Sequence, residues 1–458
     1  MTIEMDSLRS AFSGRIILPA DADYDEARAT FNATIDRRPA AIVRPHATAE
    51  VAAAVRWARD AGLRIAVRGG GHSVAGHCVA EGALTIDLRE MREIRVDPFR
   101  RRASVGGGAR WEEVDAATLG HGLATTGGTF GDTGVGGLTL GGGIGFLMGT
   151  AGLTCDNLVG AEVVTADGSI IVAGGAGDAE LLWALRGGGG NFGVVTAFEF
   201  ALHPIGPIWT GIVTVPVTNA SDALEAMAEL AREAPPEAVI FATGPALLDP
   251  SEPGGAAPLV LKITVVYQGS QDAAERFIAP LRGLPVIGAS LTSMSYREVQ
   301  EMNGRLPFGL RHYWKGHFLR GLEPTAIEVI KEAVQNRPAP PSFLLLEAIT
   351  GAARQEPAGG AAFGQRVARW NVSALAIWED PADDARQVAW VRGVAEGLRP
   401  TSLTGAGYGN YASSDESAQR IHAAFGPERF ARLAEVKRRY DPDNVFRANL
   451  NIPPADRV

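Results

Sequence analysis

The chain has 458 residues, 46% of them apolar and 21% charged, a soluble composition long enough for a large core and two or three domains. A net charge of −9 with no basic cluster argues against a nucleic-acid partner. Only Cys78 and Cys155 are cysteines, no apolar run reaches the roughly 18 residues of a membrane span, and Met1 to Arg15 lacks the apolar core of a signal peptide, so a reducing cytoplasm is the expected setting.

In chain order, Asp23–Ala33 reads as a helix and Ala41–Val43 as a short strand. Thr48 caps a helix whose Val51, Val55 and Ala58 share one face. Arg64–Arg68 is a strand that delivers the chain into Gly69-Gly70-Gly71-His72. Ala83–Leu88 and a pair within Ile94–Val105 are further strands, and Trp111–Leu119 is a helix. Val159–Thr165 and Ile170–Val172 form a hairpin around Asp167-Gly168. A helix follows at Asp178–Leu185 and a strand at Gly193–Leu202. From about residue 208 the texture changes to a second α+β region. Its expected strands are Ile212–Val217, Leu259–Tyr267, Phe343–Ile349 and Val372–Trp378. Its expected helices are Ala223–Arg232, Gln271–Leu281 and Asp384–Leu398. Pro245–Pro258 reads as a loop, and Phe430–Tyr440 as a basic closing helix.

Glycine is the outlier, at 56 residues, and it concentrates in three stretches: Arg68–Ser73, Gly127–Gly145 and Arg186–Gly193. Ten of the nineteen residues of the second stretch are glycine, too many for a helix or strand interior, where each costs about 0.5–1 kcal/mol against alanine. Such a run suits backbone that approaches a ligand closely and offers its N–H groups to an anion such as a pyrophosphate. Interleaved Val, Ile, Leu and Phe argue against a flexible linker. The spacing of Gly188, Gly190 and Gly193 matches a dinucleotide fingerprint, but it follows a helix and opens a strand, the reverse of the required order. No P-loop and no trustworthy metal spacing occurs.

Together with Tyr408-Gly409-Asn410-Tyr411 and Tyr440–Phe446, these stretches resemble the berberine-bridge-enzyme-like group of the vanillyl-alcohol-oxidase superfamily of FAD oxidoreductases. The resemblance covers about residues 35–207 and 405–455. It implies an α+β protein with a PCMH-type FAD-binding domain of two α+β subdomains (residues 1–207). A substrate domain with an antiparallel sheet follows (208–405), and a C-terminal segment returns to the FAD domain (406–458). It implies that His72 carries the flavin covalently through the 8α-methyl carbon. Arg68, Gly69, Gly70, Gly71 and Ser73 would surround the pyrophosphate side, with Gly134, Val135, Gly136, Gly137, Gly142 and Gly145, and Thr133 would border the flavin along the path of dioxygen. Asp156 and Val194 would lie along the adenosine and ring portions, and Asn410, Asn449 and Asn451 would return to the cofactor. Where many members carry a second, cysteinyl link, this chain has Phe130, so a single link is expected.

The flavin would accept a hydride while the protein removes a proton beside the donor carbon. By resemblance Tyr408 faces the substrate, with Tyr411 beside it. In an extended segment Tyr408 and Asn410 would share one side and Tyr411 the other. Lys315, in Arg311–Lys315, could lower a tyrosine pKa. The expected activity is FAD-linked oxidation of a CH–OH or CH–NH group of a small sugar, glycoside or alkaloid-like molecule. Thr133, compact where dehydrogenases carry leucine, suggests dioxygen as acceptor. The alternatives are a dehydrogenase, an aromatic or polyketide oxidase of the same superfamily, or a flavin-binding protein without turnover.

Overall fold

The computed structural model describes residues 6–247, 259–305, 307–338 and 341–456. Three sheets position everything else. The first runs Arg15–Ile17, Ala41–Arg44, Leu84–Asp87, Ile65–Arg68, with the last three strands parallel. Their short, mostly apolar runs, each ending in a charged residue, suit strands buried on both faces, and the helix Thr48–Asp60 covers them with Val51, Ala54, Val55 and Ala58. The second sheet is antiparallel in the order Ile94–Asp97, Arg102–Gly106, Val194–Ala201, Leu158–Val164, Ile170–Gly174.

The third sheet has seven antiparallel strands: Gly288–Met294, Ile208–Pro216, Leu259–Gln268, Ala238–Leu247, Phe343–Ala348, Trp370–Trp378 and Arg311–Leu319. Side-chain alternation divides its residues between two cores. Leu344, Leu346, Val372, Ala374 and Ala376 pack with the helices Ala220–Arg232, Pro324–Gln335 and Asp384–Leu398. Phe241, Leu345, Leu375, Trp314 and Phe318 belong to a different core, shared with Ile144, Phe146 and Tyr408. The glycine region therefore faces an apolar sheet rather than water.

Several expectations shift. The first helix is only Tyr24–Arg28, because the chain then turns to meet the His72 loop, with Phe31 N–H donating to Gly71 O at 3.3 Å. Thr48 does not cap its helix; Ala47 is the cap residue and Thr48 hydroxyl reaches Glu162 instead, at 2.5 Å. A short helix, Val135–Leu140, forms inside the glycine run, held by Val135, Leu138 and Leu140 against the apolar core of the second sheet. The strands Ala238–Leu247 and Arg311–Leu319 are additional. The stretch read as a loop from Pro245 begins inside the first of these, and residues 248–258 lie outside the described part.

The C-terminal segment is fastened by one buried ion pair. Lys437 Nζ lies 2.6 Å from Asp441 Oδ2, and both side chains are fully buried. The same ammonium donates to Asn191 O and Phe446 O, each at 2.8 Å, so it joins the closing helix to the third glycine stretch. Lys437→Met leaves the Asp441 charge buried and unpaired, and it is expected to cost about 3–5 kcal/mol. A fall in thermal midpoint that Asp441→Asn partly reverses would bear this out; an unchanged midpoint would not.

Candidate active site

The strand Ile65–Arg68 ends at Gly69, at the carboxyl edge of a parallel sheet, where ligand crevices of such sheets open. There the first two glycine stretches meet backbone to backbone. A Cβ on Gly70 would sit 2.5 Å from Gly134 N, and a Cβ on Gly134 would sit 2.3 Å from Gly70 N. Neither position accepts any other residue without moving a loop. By contrast, Gly137 and Gly190 have nothing within 4 Å of where a side chain would start. They edge a cavity of about 810 Å³, lined also by Gly69–Ser73, Gly134, Gly136, Gly188 and Asn449.

The cavity continues to the third sheet. Phe241, Leu345, Leu375, Ile377, Trp314 and Phe318 form its far wall, and Tyr408 and Tyr411 stand between wall and glycines. Tyr408-Gly409-Asn410-Tyr411 is not extended; Gly409–Tyr411 makes a single 3-10 turn. That turn brings the two tyrosines together, ring centroids 4.8 Å apart, instead of sending them to opposite sides. Tyr408 Oη accepts from Gly143 N at 2.7 Å and from Asn410 Nδ2 at 2.8 Å. It braces the glycine backbone, and burial raises its pKa above the ordinary phenol value despite those donors.

Tyr411 is differently placed. Its hydroxyl donates to Glu347 Oε1 at 3.0 Å, and Asn371 Nδ2 donates to Glu347 Oε2 at 2.6 Å. Glu347 is fully buried, and desolvation pushes its carboxyl up to about 7. The sequence reasoning missed Glu347. The signal was there: one carboxylate inside the otherwise apolar run Phe343–Ile349.

His72 lines the cavity beside Phe31, ring centroids 5.1 Å apart and nearly parallel, with Phe308 edge-on at 5.0 Å. Burial, aided by the nearby Arg110 charge, lowers its pKa to about 4, so the imidazole is neutral. Its Nε2 is buried without a hydrogen-bond partner.

Other expected site residues divide. Ser73, Thr133 and Asn410 border the cavity with the residues already placed. Arg68 does not: its guanidinium donates to Ala27 O and Ala29 O, fixing the turn before Phe31. Asp156 is taken by Arg366, 2.8 Å from Oδ2, and by the Leu153 N–H. Val194 points into the core beneath the parallel sheet, leaving its neighbours Gly193 and Val195 to line the cavity. Val135, Gly142 and Gly145 support the cradle from behind; a Cβ on Gly145 would sit 2.0 Å from Gly127 O. Asn449 donates to Gly190 O at 3.0 Å, and its Oδ1 is buried and unpartnered, as is that of Asn451. Lys315 also borders the cavity, and its ammonium pairs with Asp415 at 3.0 Å and Glu416 at 3.1 Å. Strand alternation turns it to the face opposite Trp314, whose ring packs edge-on against Tyr411 at 5.7 Å.

Residues 39–174 match the model described as FAD binding domain, and residues 407–453 the one described as Berberine and berberine like. Along its whole length the chain is 32% identical to the (R)-6-hydroxynicotine oxidase of Paenarthrobacter nicotinovorans, covering 97% of each protein. The chain belongs to the berberine-bridge-like FAD-linked oxidoreductases. A crystal structure of 6-hydroxy-D-nicotine oxidase from Arthrobacter nicotinovorans superposes with a TM-score of 0.86 at 31% identity, covering 97% of this chain and 98% of that one. A xylooligosaccharide oxidase from Myceliophthora thermophila has the same fold, with a TM-score of 0.87 at 23% identity over 98% of this chain and 99% of that one. The fold is thus the α+β, PCMH-type architecture of these oxidases.

The residues present fit FAD. The cavity is long and glycine-edged, and buried polar atoms of His72 and Asn449 stand unpartnered at its border. The two kinds of glycine separate in a test. Gly134→Ala is expected to destabilise the fold by about 1–3 kcal/mol through overpacking. Gly190→Ala should leave the thermal midpoint of flavin-free protein unchanged while weakening FAD binding in a fluorescence titration. Equal effects of both on the flavin-free protein would contradict this assignment.

Proposed function

We propose that this berberine-bridge-like protein is an oxidase that carries FAD on His72 by one covalent bond. Its substrate is an apolar cyclic amine, oxidised at a CH–NH group with dioxygen as electron acceptor. The observation that carries the reading is the pairing of Tyr411 with the buried Glu347 beside an aromatic and aliphatic wall. When bound, the flavin accepts the hydride. The chain's own residues handle the proton: Tyr411 receives it from the substrate nitrogen and Glu347 takes it on. Asn371 keeps the carboxylate turned toward Tyr411. Phe241, Leu345, Leu375 and Trp314 exclude water and hold the ring of the substrate.

A sugar asks for a polar partner at most of its hydroxyls, because an unpaired buried polar group is costly. Among its aromatic and aliphatic side chains the sheet wall offers only Thr243, Thr264, Lys262 and Lys315, the last already paired with Asp415 and Glu416. The full-length likeness to a hydroxynicotine oxidase supports the amine side. Phe130 borders the cavity and cannot form a thioether, which supports one link. Thr133 also borders it, with a compact side chain that supports access for dioxygen.

Two measurements test the proposal. Anaerobic mixing with apolar cyclic amines should bleach the flavin, and air should then restore it with hydrogen peroxide as product. Bleaching by oligosaccharides alone would overturn the substrate class, and absence of bleaching by any reductant substrate would indicate a non-catalytic binder. Acid-precipitated protein should stay yellow, whereas flavin in the supernatant would refute the covalent link.

The pH dependence follows from Glu347. Its carboxyl titrates at about 7, so below that pH it is protonated and cannot accept a proton. The rate of flavin reduction at saturating amine should therefore rise with pH and level off above about 7. Glu347→Gln should flatten that limb and lower the rate by about 10²–10⁴-fold, the usual share of a general base. A wild-type profile in this variant would remove Glu347 from the proton path.

A further inference from the structure

His72 and Asp132 form a pair that the oxidation chemistry leaves unused. His72 Nε2 lies 3.6 Å from Asp132 Oδ2. Both groups are buried, with 11% and 5% of their side chains exposed. Nε2 has no hydrogen-bond partner, and neither has Asp132 Oδ1. The distance is longer than a hydrogen bond, but reacting pairs are commonly this loose before the reactant is bound. Phe31 and Phe308 box the imidazole on its face and edge, which limits its rotation away from Asp132.

We propose that Asp132 prepares His72 for attachment to the flavin: its carboxylate fixes Nε2–H, directs the Nδ1 lone pair into the cavity, and takes the Nε2 proton as Nδ1 bonds to the 8α carbon. The inference rests on the histidyl link proposed above. In the net step a C–N bond forms, and one methyl C–H bond and the imidazole N–H bond break. The two electrons released pass to dioxygen, which with the two protons becomes hydrogen peroxide. Positive charge gathers on the imidazole ring as the bond forms, and a carboxylate beside Nε2 stabilises it. The neutral state of His72 provides the lone pair at neutral pH. Burial raises the Asp132 pKa, which makes the carboxylate a better proton acceptor, while the charges of Arg305 and Arg110 oppose that rise and keep it ionisable. Arg305 is itself held by Glu112, so it is not free to replace His72 as the partner of Asp132.

The test uses full-length protein produced without flavin and then supplied with FAD in air. Covalent incorporation is followed as fluorescence retained on a denaturing gel, and non-covalent binding as quenching of free FAD. In wild type, flavin should appear on the peptide containing His72. Asp132→Asn should bind FAD with near wild-type affinity but form the link about 10²–10⁴-fold more slowly, and Asp132→Glu should recover part of the rate. If Asp132→Asn does not fold, Asp132→Ala with added formate replaces it, and formate should accelerate attachment. A wild-type rate in Asp132→Asn, or no formate effect in Asp132→Ala, overturns the role of Asp132 while leaving the histidyl link intact. No flavin on the His72 peptide in wild type refutes the link itself, and this inference with it.

Discussion

The backbone contact between Gly70 and Gly134 is the constraint on which the site depends. Two loops from different parts of the FAD-binding half press together so closely that neither can carry a Cβ. That contact sets His72, two residues after Gly70, against Asp132, two residues before Gly134. It also turns Gly136 and Gly137 toward the same cavity. The cradle is therefore a consequence of loops packed on each other, and only secondarily of glycine's flexibility. The C-terminal segment closes the other side, through Lys437 to Asn191 and Asn449 to Gly190.

The substrate side follows from strand alternation. Residues of one parity in the central strands serve the helical core, and those of the other serve the cavity. Glu347 shares the parity of Leu345, so one carboxylate enters an apolar wall and meets Tyr411. Its perturbed pKa comes from burial, with Asn371 and Tyr411 pulling the other way. A carboxyl pushed up to about 7 and hydrogen-bonded to a phenol is suited to accept a proton near neutral pH.

Much of this was legible in the sequence. The glycine stretches announced a backbone cradle for an anionic ligand, because close backbone approach has a compositional signature, and the resemblance named that ligand as FAD. The hairpin around Asp167-Gly168 and the helix Asp384–Leu398 were legible from local turn chemistry and period. What was not legible depended on long-range geometry. Arg68 and Asp156 are polar residues inside cofactor-like motifs, yet their partners are Ala27, Ala29 and Arg366, distant in sequence. Tyr408 and Tyr411 lie side by side, and not on opposite sides, because a 3-10 turn stands where an extended segment was expected. Lys315 borders the cavity, but its carboxylate partners Asp415 and Glu416, a hundred residues on, could not be read from the sequence. Glu347 was hidden because the pairing of Phe343–Ala348 with Trp370–Trp378, which brings Asn371 to it, is invisible locally.

The most direct measurement is the electron density of a crystal of the full chain with FAD. The expected result is a pyrophosphate against Gly136, Gly137 and Gly190, the dimethyl edge of the ring bonded to His72, and the ring face beneath the Tyr411 hydroxyl. A ring bonded elsewhere, or lying away from Tyr411 and Glu347, would contradict it.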